Sequence, residues 1–379
     1  MAVGGGSGGH VTPVVAVIKQ LIELNSDVKV HMVCDRKFET QTRGLMANAG
    51  TDVKISVVSA GKFRRYSHLT FWQHFTVPHV VWGNITDIGK IGLGFVQSIG
   101  ILLFNRPDVV FAKGGYVCLP MGLAAWLLRI PLVIHDSDTR PGLTNRVLAR
   151  FARSIATGSP LKNYNYDPAK STYIGVPIGS EFKPVDVDRQ RDLKAKLDVP
   201  VDKKLIVTTG GGLGSKIIND AAVAAAKNHA DDSIFWYVVS GKKHFSSTSE
   251  QAEGVRNIKV IEFVYENMDQ VLGAADIVVT RASATFLQEL AGLKKTIIAV
   301  PARQLGDQIK NARVFDEANA AIVLSDDEVM KEDALADAVN RLVDDNKLAA
   351  ELAQNLHEFA RPNAANDLAK LLISAAKKV

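Results

Sequence analysis

The chain has 379 residues, of which 47% are hydrophobic and 22% charged, a composition that excludes disordered and fibrous classes of protein. Its length fits two domains of about 150–200 residues each. The 45 basic and 40 acidic side chains leave a formal charge of +5, an excess too small to indicate nucleic-acid binding.

The sequence predicts a protein of the reducing cytoplasm. Cys34 and Cys118 form no CxxC pair and are expected to be free thiols. No basic region followed by an apolar one precedes the first glycines, so no secretory signal is expected. The most apolar stretch, 88–104, contains Lys90, Gln97 and four glycines, and is not predicted to cross a membrane.

Short runs of β-branched residues alternate with longer helical patterns along the chain. Such strands separated by helices indicate parallel sheets covered on both faces. Only Met1 to Val3 are available for a first strand before the first glycines. The other predicted strands are 28–33, 53–58, 109–112, 132–135 and 154–157, then 205–209, 234–240, 258–263, 277–280, 296–300 and 321–324. The two sets predict an α/β fold with two Rossmann-like domains.

The boundary between the domains is expected near 173–184, where Gly175, Pro177, Gly179 and Pro184 interrupt regular structure. A last helix is predicted at 365–378, after Pro362. We therefore expect domains at 1–173 and 174–362, with 363–379 forming a helix that packs back on the first domain.

A glycine-rich turn, 4–10, opens the first domain and leads into an amphipathic helix. Glycines at a helix start let backbone amides approach an anion or developing negative charge. The spacing also fits GxGxxG with Asp35 after the next strand, so a dinucleotide site stays open. His10 lies in the turn, where an imidazole can accept a proton from a hydroxyl nucleophile. A capping role for His10 is the alternative.

The second domain has a matching turn at 209–215, also followed by a helix. A diphosphate at this helix start needs no metal, because the amides supply the positive field. Two DxD sequences, 136–138 and 186–188, occur, but no cluster of metal ligands is apparent. Glu289 in the segment 280–289 is a candidate acceptor of hydrogen bonds from a ribose diol. Polar residues at 306–312 open a further helix toward the same strand ends.

The ordered set of motifs resembles the MurG family of glycosyltransferases over nearly the whole chain. The motifs are the glycine turn 5–10, Lys113-Gly114-Gly115-Tyr116, 130–135, Gly142-Leu143-Thr144-Asn145, the loop 210–214, the run 281–289 and Asp307-Gln308 with Asn311-Ala312. The resemblance implies a GT-B fold, with two Rossmann-like domains whose parallel sheets face a central cleft.

The same resemblance implies an activity. It is inverting, metal-independent transfer of N-acetylglucosamine from UDP-N-acetylglucosamine to the muramic acid 4-hydroxyl of lipid I. Lipid II and UDP are the products, and no cofactor is expected. The partners implied are the UDP-sugar, lipid I and an anionic inner-leaflet surface, at the cytoplasmic face of the cell membrane.

Site residues are carried over position by position from the resemblance. His10 and Asp136 are the catalytic positions. In the donor site, the turn 212–215 would hold the diphosphate, Glu289 the ribose, Gln308 the sugar hydroxyls, and backbone near Val264 the uracil. All donor-binding positions are Ser7, Gly8, Gly9, Asp138, Asn145, Gly212, Leu213, Gly214, Val264, Arg281, Ser283, Ala284, Thr285, Phe286, Glu289 and Gln308. The acceptor-binding positions are Gly6, Ser7, Gly8, Gly9, His10, Gly114, Gly115, Tyr116 and Asn145.

Several positions depart from the family pattern. His135-Asp136-Ser137-Asp138 stands where His-Glu-Gln-Asn is usual, so Asp138 replaces an amide. Gly179 replaces an arginine, Gly212-Leu213 replaces Ser-Gln, and Ala282-Ser283 replaces Ser-Gly. These changes put in question the sugar specificity and the level of activity.

A membrane-facing patch is expected in the first domain, where aromatic side chains accompany a basic cluster. A nearby aliphatic stripe at helical spacing either joins this patch or belongs to the core. The residues of the patch are Lys62, Arg64, Arg65, Phe71, Trp72 and Phe75, and those of the stripe are Ile88, Ile91, Phe95, Ile99 and Leu102.

Four alternatives stay open at this point. The same fold suits a glycolipid glycosyltransferase with another acceptor, or a UDP-sugar epimerase, which acts without a lipid acceptor. A nicotinamide-dependent oxidoreductase fits the GxGxxG spacing. The altered donor positions also fit a catalytically silent scaffold that binds UDP without turnover.

Overall fold

The computed structural model describes residues 1–5, 8–48, 53–61, 77–228, 233–264 and 266–377, without the side chains of 8–10, 48, 78–80 and 377. The chain forms two compact units. The first comprises Met1–Gly179 with Arg361–Val379, and the second comprises Ser180–Ala360. The predicted boundaries were 173/174 and 362/363, and those of the units are 179/180 and 360/361.

The first unit is built on a seven-stranded sheet in which all neighbouring strands run parallel. Its order, β3-β2-β1-β4-β5-β6-β7, reverses direction between β1 and β4. The strands are β1 (Ala2–Val3), β2 (His31–Asp35), β3 (Lys54–Val58), β4 (Val110–Ala112), β5 (Leu132–Asp136), β6 (Ser154–Thr157) and β7 (Ser171–Tyr173). In open α/β sheets, ligands bind at the carboxyl ends of the strands near such a reversal.

The second unit is built on a six-stranded parallel sheet of order β10-β9-β8-β11-β12-β13. Here the direction reverses between β8 and β11. The strands are β8 (Lys204–Thr209), β9 (Ile234–Val239), β10 (Ile258–Ile261), β11 (Ile277–Thr280), β12 (Thr296–Ala299) and β13 (Ile322–Val323).

Helices connect the strands, as parallel pairing requires. Those of the first unit are α1 (Gly8–Leu24), α2 (Glu39–Asn48), α3 (Pro78–Asn105), α4 (Cys118–Leu127) and α5 (Leu143–Leu148). Those of the second are α6 (Val187–Lys196), α7 (Lys216–Asn228), α8 (Phe245–Gln251), α9 (Met268–Ala274), α10 (Ala284–Leu293), α11 (Gly306–Glu317), α12 (Asp326–Val329), α13 (Ala334–Asp344) and α14 (Asn346–His357). The chain ends with α15 (Ala364–Lys377) in the first unit.

Each sheet is buried on both faces because successive strand residues point to opposite sides. In the first unit, Met32 and Phe111 pack against α1 and α15, while their neighbours Val33 and Ala112 pack on the α4 side. In the second unit, Ile206 and Trp236 pack against α7 and α13, and the alternate residues pack against α9 and α10. This double burial explains the uninterrupted apolar runs from which the strands were predicted.

The first sheet has one very short strand, as the position of the first glycines required, and one strand that was not apparent from the runs. Strand β1 contains only Ala2 and Val3, yet it lies at the centre, paired with both β2 and β4. Strand β7, Ser171–Tyr173, was not predicted, because an edge strand of polar residues has no apolar run. The remaining strands agree with the predicted ones to within about three residues at either end.

Helix α3 approaches the segment after β3 closely enough to require glycine. A Cβ at Gly94 would overlap the backbone oxygen of Ser59, and one at Gly61 would overlap the backbone of Asp87. The Gln97 side chain also accepts a hydrogen bond from the Ser59 amide at 2.7 Å. These contacts hold one face of α3 against the unit.

Gly94→Ala should lower the free energy of unfolding by about 1–3 kcal/mol, because the new methyl group has to displace backbone. Gly92→Ala, two residues away, meets nothing within 4 Å and should be neutral or stabilising by up to about 1 kcal/mol. Urea denaturation of both variants measures the difference. Equal effects of the two substitutions would contradict this packing of α3.

Candidate active site

The first glycine turn follows β1 at the reversal of the sheet. Gly4 donates its amide to the Val33 oxygen at 3.2 Å, and a Cβ at Gly5 would lie 2.5 Å from Oδ1 of Asp35. Gly6 and Ser7 lie outside the described residues. Gly8, Gly9 and His10 form the first turn of α1, and the His10 side chain is outside the description.

Asp35, the acid that the dinucleotide hypothesis required, is engaged within the protein. Its buried carboxylate accepts a hydrogen bond from the Tyr116 hydroxyl at 2.9 Å, and its other oxygen faces Gly5. In a dinucleotide fold such an acid accepts a hydrogen bond from a ribose hydroxyl. Part of the acceptor capacity of Asp35 is thus already used within the protein.

The turn after β4 brings Tyr116 and a buried lysine to the same edge. Gly114 and Gly115 have φ angles of +117° and +83°, a conformation that favours glycine. The Cys118 thiol closes the turn by donating to the Gly114 oxygen at 3.0 Å. Lys113 is 1% exposed, and its Nζ donates to Ser137 Oγ at 2.5 Å.

The turn after β5, Asp136-Ser137-Asp138, is called the acidic turn below. Oδ2 of Asp136 accepts hydrogen bonds from the Tyr166 hydroxyl at 2.8 Å and from the Gly142 amide at 3.2 Å. The Tyr164 hydroxyl donates to the Asp138 backbone oxygen at 2.7 Å. The acidic turn is thus held at its backbone and at its first carboxylate.

Asn145 stabilises the same turn from α5. Its Nδ2 donates to the His135 oxygen at 2.9 Å, and its buried Oδ1 makes no hydrogen bond within the described protein. His135 in turn contacts the Gly175 oxygen through Nε2 at 2.8 Å. An unsatisfied buried amide oxygen at a strand end is a position where a ligand donor would be stabilised.

Burial changes the acid–base properties of this edge. It raises the pKa of Asp136 well above the usual range, with Asp138 adding to the rise and Tyr166 and Lys113 opposing it. Burial also lowers the pKa of Lys113, and the two carboxylates oppose that change. A carboxylate whose pKa is raised toward neutrality suits general-base catalysis.

The second glycine loop follows β8 at the reversal of the second sheet. Gly214 has a φ of +72°, and a Cβ there would overlap the backbone oxygen of Ser240. The loop therefore lies directly against the end of β9, and Ser215 leads into α7. At the tip, Gly212 and Leu213 are exposed, with Leu213 at 86%.

Arg281 lies beside this loop at the end of β11. Its Nη2 donates to Ser215 Oγ at 2.7 Å, while Nη1 donates to the Val300 oxygen at 3.0 Å and to Oδ1 of Asp326 at 2.5 Å. Asp326 also accepts from the Arg303 amide at 2.9 Å. The guanidinium is therefore oriented toward the start of α7, where an anion is favoured.

Helix α10 follows Arg281 and carries Glu289 into the interior. Glu289 is buried, and this burial raises its pKa to about 8, with Glu181 contributing less. Glu289 is therefore not a solvated surface glutamate. Thr285 is also buried, while Ser283, Ala284 and Phe286 are half-buried in the turn that starts the helix.

The remaining predicted donor positions lie at neighbouring strand ends of the same unit. Oε1 of Gln308 accepts from the Ala302 amide at 3.0 Å, which fixes the first turn of α11 to the end of β12. Asn311 donates to the Ala282 oxygen at 3.2 Å. Val264 is half-buried after β10. The structure brings these groups, with Arg281, to one edge of the second sheet.

No group of three or more possible metal ligands was found in the described part of the chain. In the second DxD sequence, Asp186 caps helix α6 by accepting from the Arg189 amide at 2.7 Å. It therefore has a structural role.

Four contributors to these two edges were not recognised from the sequence. Lys113 was noted only as part of a motif, and Asp326, Tyr164 and Tyr166 were not singled out. Ser325 and Glu328 form a capping box, a recognisable sign that a helix starts directly after β13. The tyrosines stack at 5.5 Å in an irregular segment, for which no sequence pattern was available.

The predicted membrane patch falls in 62–76, so Lys62, Arg64, Arg65, Phe71, Trp72 and Phe75 lie outside the described residues. The aliphatic stripe is mainly core: Leu102 is buried, and Phe95 and Ile99 pack against the core of the first unit.

A different face of α3 is exposed and apolar, and is called the apolar stripe below. Its residues are separated by 3, 7 or 11 positions, and these separations place side chains on the same side of a helix. Within 81–105 the only charged residues, Asp87 and Lys90, pair with each other at 3.2 Å. Contrary to the expectation for 88–104, the segment 81–105 is, by length and composition alone, long and apolar enough to cross a membrane, and 22% of an 18-residue apolar window within it is buried. The apolar stripe consists of Trp82, Ile85, Leu93, Val96, Leu103 and Phe104, whereas Ile88, also exposed, belongs to the aliphatic stripe.

Two family descriptions match the chain. The glycosyltransferase family 28 N-terminal domain matches residues 1–157, and the glycosyltransferase family 28 C-terminal domain matches residues 205–370. The two matches together cover most of both units.

A relative from Shouchella clausii is 34% identical over 332 residues, which are 87% of this chain and 86% of the relative. It is described as UDP-N-acetylglucosamine–N-acetylmuramyl-(pentapeptide) pyrophosphoryl-undecaprenol N-acetylglucosamine transferase. Among solved structures, Acinetobacter baumannii MurG superposes with a TM-score of 0.73 at 23% identity, covering 99% of this chain and 98% of that one. The UDP-GlcNAc 2-epimerase of Neisseria meningitidis superposes with a TM-score of 0.68 at 12% identity, covering 98% and 99%. These superpositions confirm the predicted GT-B fold.

Glu289→Gln should remove a pH-dependent loss of stability. Glu289 binds its proton more tightly in the folded protein, where its pKa is about 8, than when unperturbed, where it is 4.5. The stability that this proton adds to the folded state is therefore fully present below pH 4.5 and is lost as the pH rises to 8. Between pH 5 and pH 8 the Tm of the variant should rise by several degrees relative to that of the wild type, at roughly 2–4 °C per kcal/mol.

Glu351→Gln, an exposed glutamate on α14, serves as the matched control and should show no such trend. A difference between Glu289→Gln and the wild type that does not change with pH would contradict the buried, protonated carboxyl.

Proposed function

The chain belongs to glycosyltransferase family 28, and on this basis we propose that it transfers N-acetylglucosamine from UDP-N-acetylglucosamine to the muramic acid 4-hydroxyl of lipid I. The products are lipid II and UDP, in peptidoglycan synthesis. The observation that carries the proposal is the donor edge of the second unit. Ser215 follows the glycine loop after β8, Arg281 and Glu289 follow β11, and the sheet order reverses between these two strands.

The donor edge suits a nucleoside diphosphate sugar. The diphosphate would lie at the start of α7, where backbone amides, the helix dipole and Arg281 supply positive charge without a metal. Glu289 would bind the ribose diol, and backbone near Val264 would bind the uracil. Gln308, fixed by the Ala302 amide, would contact hydroxyls of the sugar. Ser283, Ala284, Thr285 and Phe286 would line the site at the start of α10.

The first unit would hold the acceptor. The amides of the turn 6–10 and of Gly114-Gly115 would bind its diphosphate, and Tyr116 and Asn145 would orient the muramic acid. Transfer with inversion is a single displacement. The 4-hydroxyl oxygen attacks the anomeric carbon, the bond to UDP breaks, and the hydroxyl proton passes to a base. Two groups are available as this base, His10 and Asp136.

The epimerase alternative shares the fold, as the Neisseria enzyme does. It differs in chemistry, because an epimerase changes the UDP-sugar without any acceptor. The identity to the epimerase is 12%, whereas that to the transferase of Shouchella clausii is 34%. The transferase is therefore the better supported function, and a scaffold that only binds UDP is left to experiment.

Calorimetric titration without metal should show binding of UDP-N-acetylglucosamine, with UDP-glucose, UDP and NAD as comparisons. Lipid I should then be converted to lipid II. His10→Ala and Asp136→Asn should retain donor binding, because neither residue is among the donor-binding positions. The variant that removes the base should lose turnover by about 10²–10⁴-fold.

The other outcomes identify the alternatives. Conversion of the UDP-sugar without an acceptor would indicate an epimerase, and UDP binding with no turnover of lipid I would indicate a scaffold. Reduction of NAD would indicate an oxidoreductase. Arg281→Ala binding the donor as tightly as the wild type would contradict the assignment of the diphosphate site.

We propose further that the chain is a peripheral protein of the cytoplasmic membrane face and docks there through the apolar stripe of α3. The stripe is uncharged, is exposed to solvent, and lies on the unit that would hold the lipid-linked acceptor. Such a helix can rest at the level of lipid headgroups with its apolar face inserted. The basic residues Lys62, Arg64 and Arg65 would add attraction to anionic lipids.

The triple variant Ile85→Ser/Val96→Ser/Leu103→Ser should bind vesicles of phosphatidylglycerol and phosphatidylcholine about tenfold more weakly, because less apolar area is inserted. Cosedimentation measures the difference. Val187→Ser/Val201→Ser, which changes exposed apolar residues of the second unit, is the matched control. Equal binding by the triple variant and the wild type would refute docking through the apolar stripe.

A further inference from the structure

Lys113 is a buried cation with no assigned role. It follows β4, and because Ala112 pairs with Ile134 it emerges beside the last residues of β5. Its Nζ reaches Ser137, the central residue of the acidic turn, at 2.5 Å. This hydrogen bond fixes the ammonium to the middle of the acidic turn.

An ammonium at this depth requires compensation. Removing a cation from water costs several kcal/mol unless it is paired and hydrogen-bonded. The groups that interact electrostatically with Lys113 are Asp138, Asp136 and the Cys118 thiol. Burial raises the pKa of Cys118, so the thiol is neutral at physiological pH. The compensating negative charge therefore comes from the two carboxyl groups.

The groups that face Asp136 can be named element by element. Lys113 comes from the end of β4, Asp138 from the acidic turn itself, and Tyr164 and Tyr166 from the segment between β6 and β7. Burial raises the pKa of both tyrosines, so they are neutral donors. Arg146 on α5 is exposed and interacts with Tyr166.

We propose that Lys113 is a positioning residue for glycosyl transfer, which holds the acidic turn through Ser137 and balances the charge of Asp136 and Asp138. This inference rests on the proposed function, because it places Asp136 beside the acceptor hydroxyl. Lys113 itself does not touch the substrate. Its effect is to fix the carboxylate geometry and to keep a second carboxylate from suppressing ionisation of the first.

A charge-swap cycle tests the pairing. Lys113→Met keeps the length of the side chain and removes its charge, and should lower kcat at pH 7 by at least about tenfold. In Lys113→Met the KM for UDP-N-acetylglucosamine should stay within about twofold, because Lys113 is not among the donor-binding positions. In the Lys113→Met background, Asp138→Asn should recover much of this loss of kcat, because it removes the like charge that suppresses ionisation of Asp136. Lys113→Arg should retain more activity than Lys113→Met.

The pH profile gives a readout that a merely structural role would not move. Loss of the Lys113 charge should shift the acidic limb of kcat/KM to higher pH, because a cation favours the ionised form of Asp136. Asp138→Asn should shift it to lower pH by removing a like charge, and the double variant should lie near the wild type. If Lys113→Met fails to fold, the downward shift in Asp138→Asn decides the question.

Lys295→Met is the matched control. Lys295 is also buried, but its Nζ donates to the Gly273 and Ala275 oxygens in the second unit, at 2.8 and 2.9 Å. This variant should lower Tm without moving the pH limb. An unmoved limb in Lys113→Met, or a double variant that recovers none of the activity lost in Lys113→Met, would overturn the proposal.

Failure of the proposed function is distinguishable from failure of the inference. A wild-type chain that binds UDP-N-acetylglucosamine but converts no lipid I would overturn the function and, with it, the role of Lys113 in transfer. The charge pairing of Lys113 with Asp138 would still be tested by the Tm of the single and double variants. Each single variant should lower Tm by several degrees, and the double variant should recover it. No recovery would overturn the pairing as well.

Discussion

Parallel strands joined by crossover helices leave all their carboxyl ends at one edge of a sheet, and both units of this chain depend on that constraint. In the first unit it brings together residues as distant in sequence as Gly5, Lys113 and Asp136. In the second unit it brings Ser215, Arg281 and Asp326 into direct contact. Each unit therefore collects polar groups at a sheet reversal without any long-range sequence motif.

Concentrating polar groups at a strand end also buries charge, and the two units meet that demand differently. The first opposes one ammonium to two carboxyl groups around the acidic turn. The second pairs Arg281 with Asp326 but buries Glu289 among apolar residues, where the neutral acid is favoured. A buried group whose protonation is so displaced is available for chemistry or ligand binding near neutral pH. Burial of these groups destabilises the folded state, and the apolar cores on both faces of each sheet offset that cost.

Helix α3 illustrates where sequence reasoning reaches its limit. It has two apolar faces, and periodicity alone does not say which one is covered. The stripe read from the sequence contains Phe95, Ile99 and Leu102, which pack inward. The stripe that includes Trp82 and Val96 is exposed. The inward face is the one that closely approaches the segment after β3, at the contacts Gly94–Ser59 and Gly61–Asp87. Ser59 precedes Gly94 by more than thirty residues, so no local pattern reveals this contact.

The amino-acid sequence by itself determined the fold class, most of the strands and the order of the motifs that identify the family. These features are local, since a buried strand, a glycine turn and a helix start are each specified by a few neighbouring residues. Only the tertiary structure decided that Asp35 accepts a hydrogen bond from Tyr116, that Glu289 is buried, and that Lys113 reaches the acidic turn. Each of these depends on which strands lie side by side, and hence on residues that no local pattern connects.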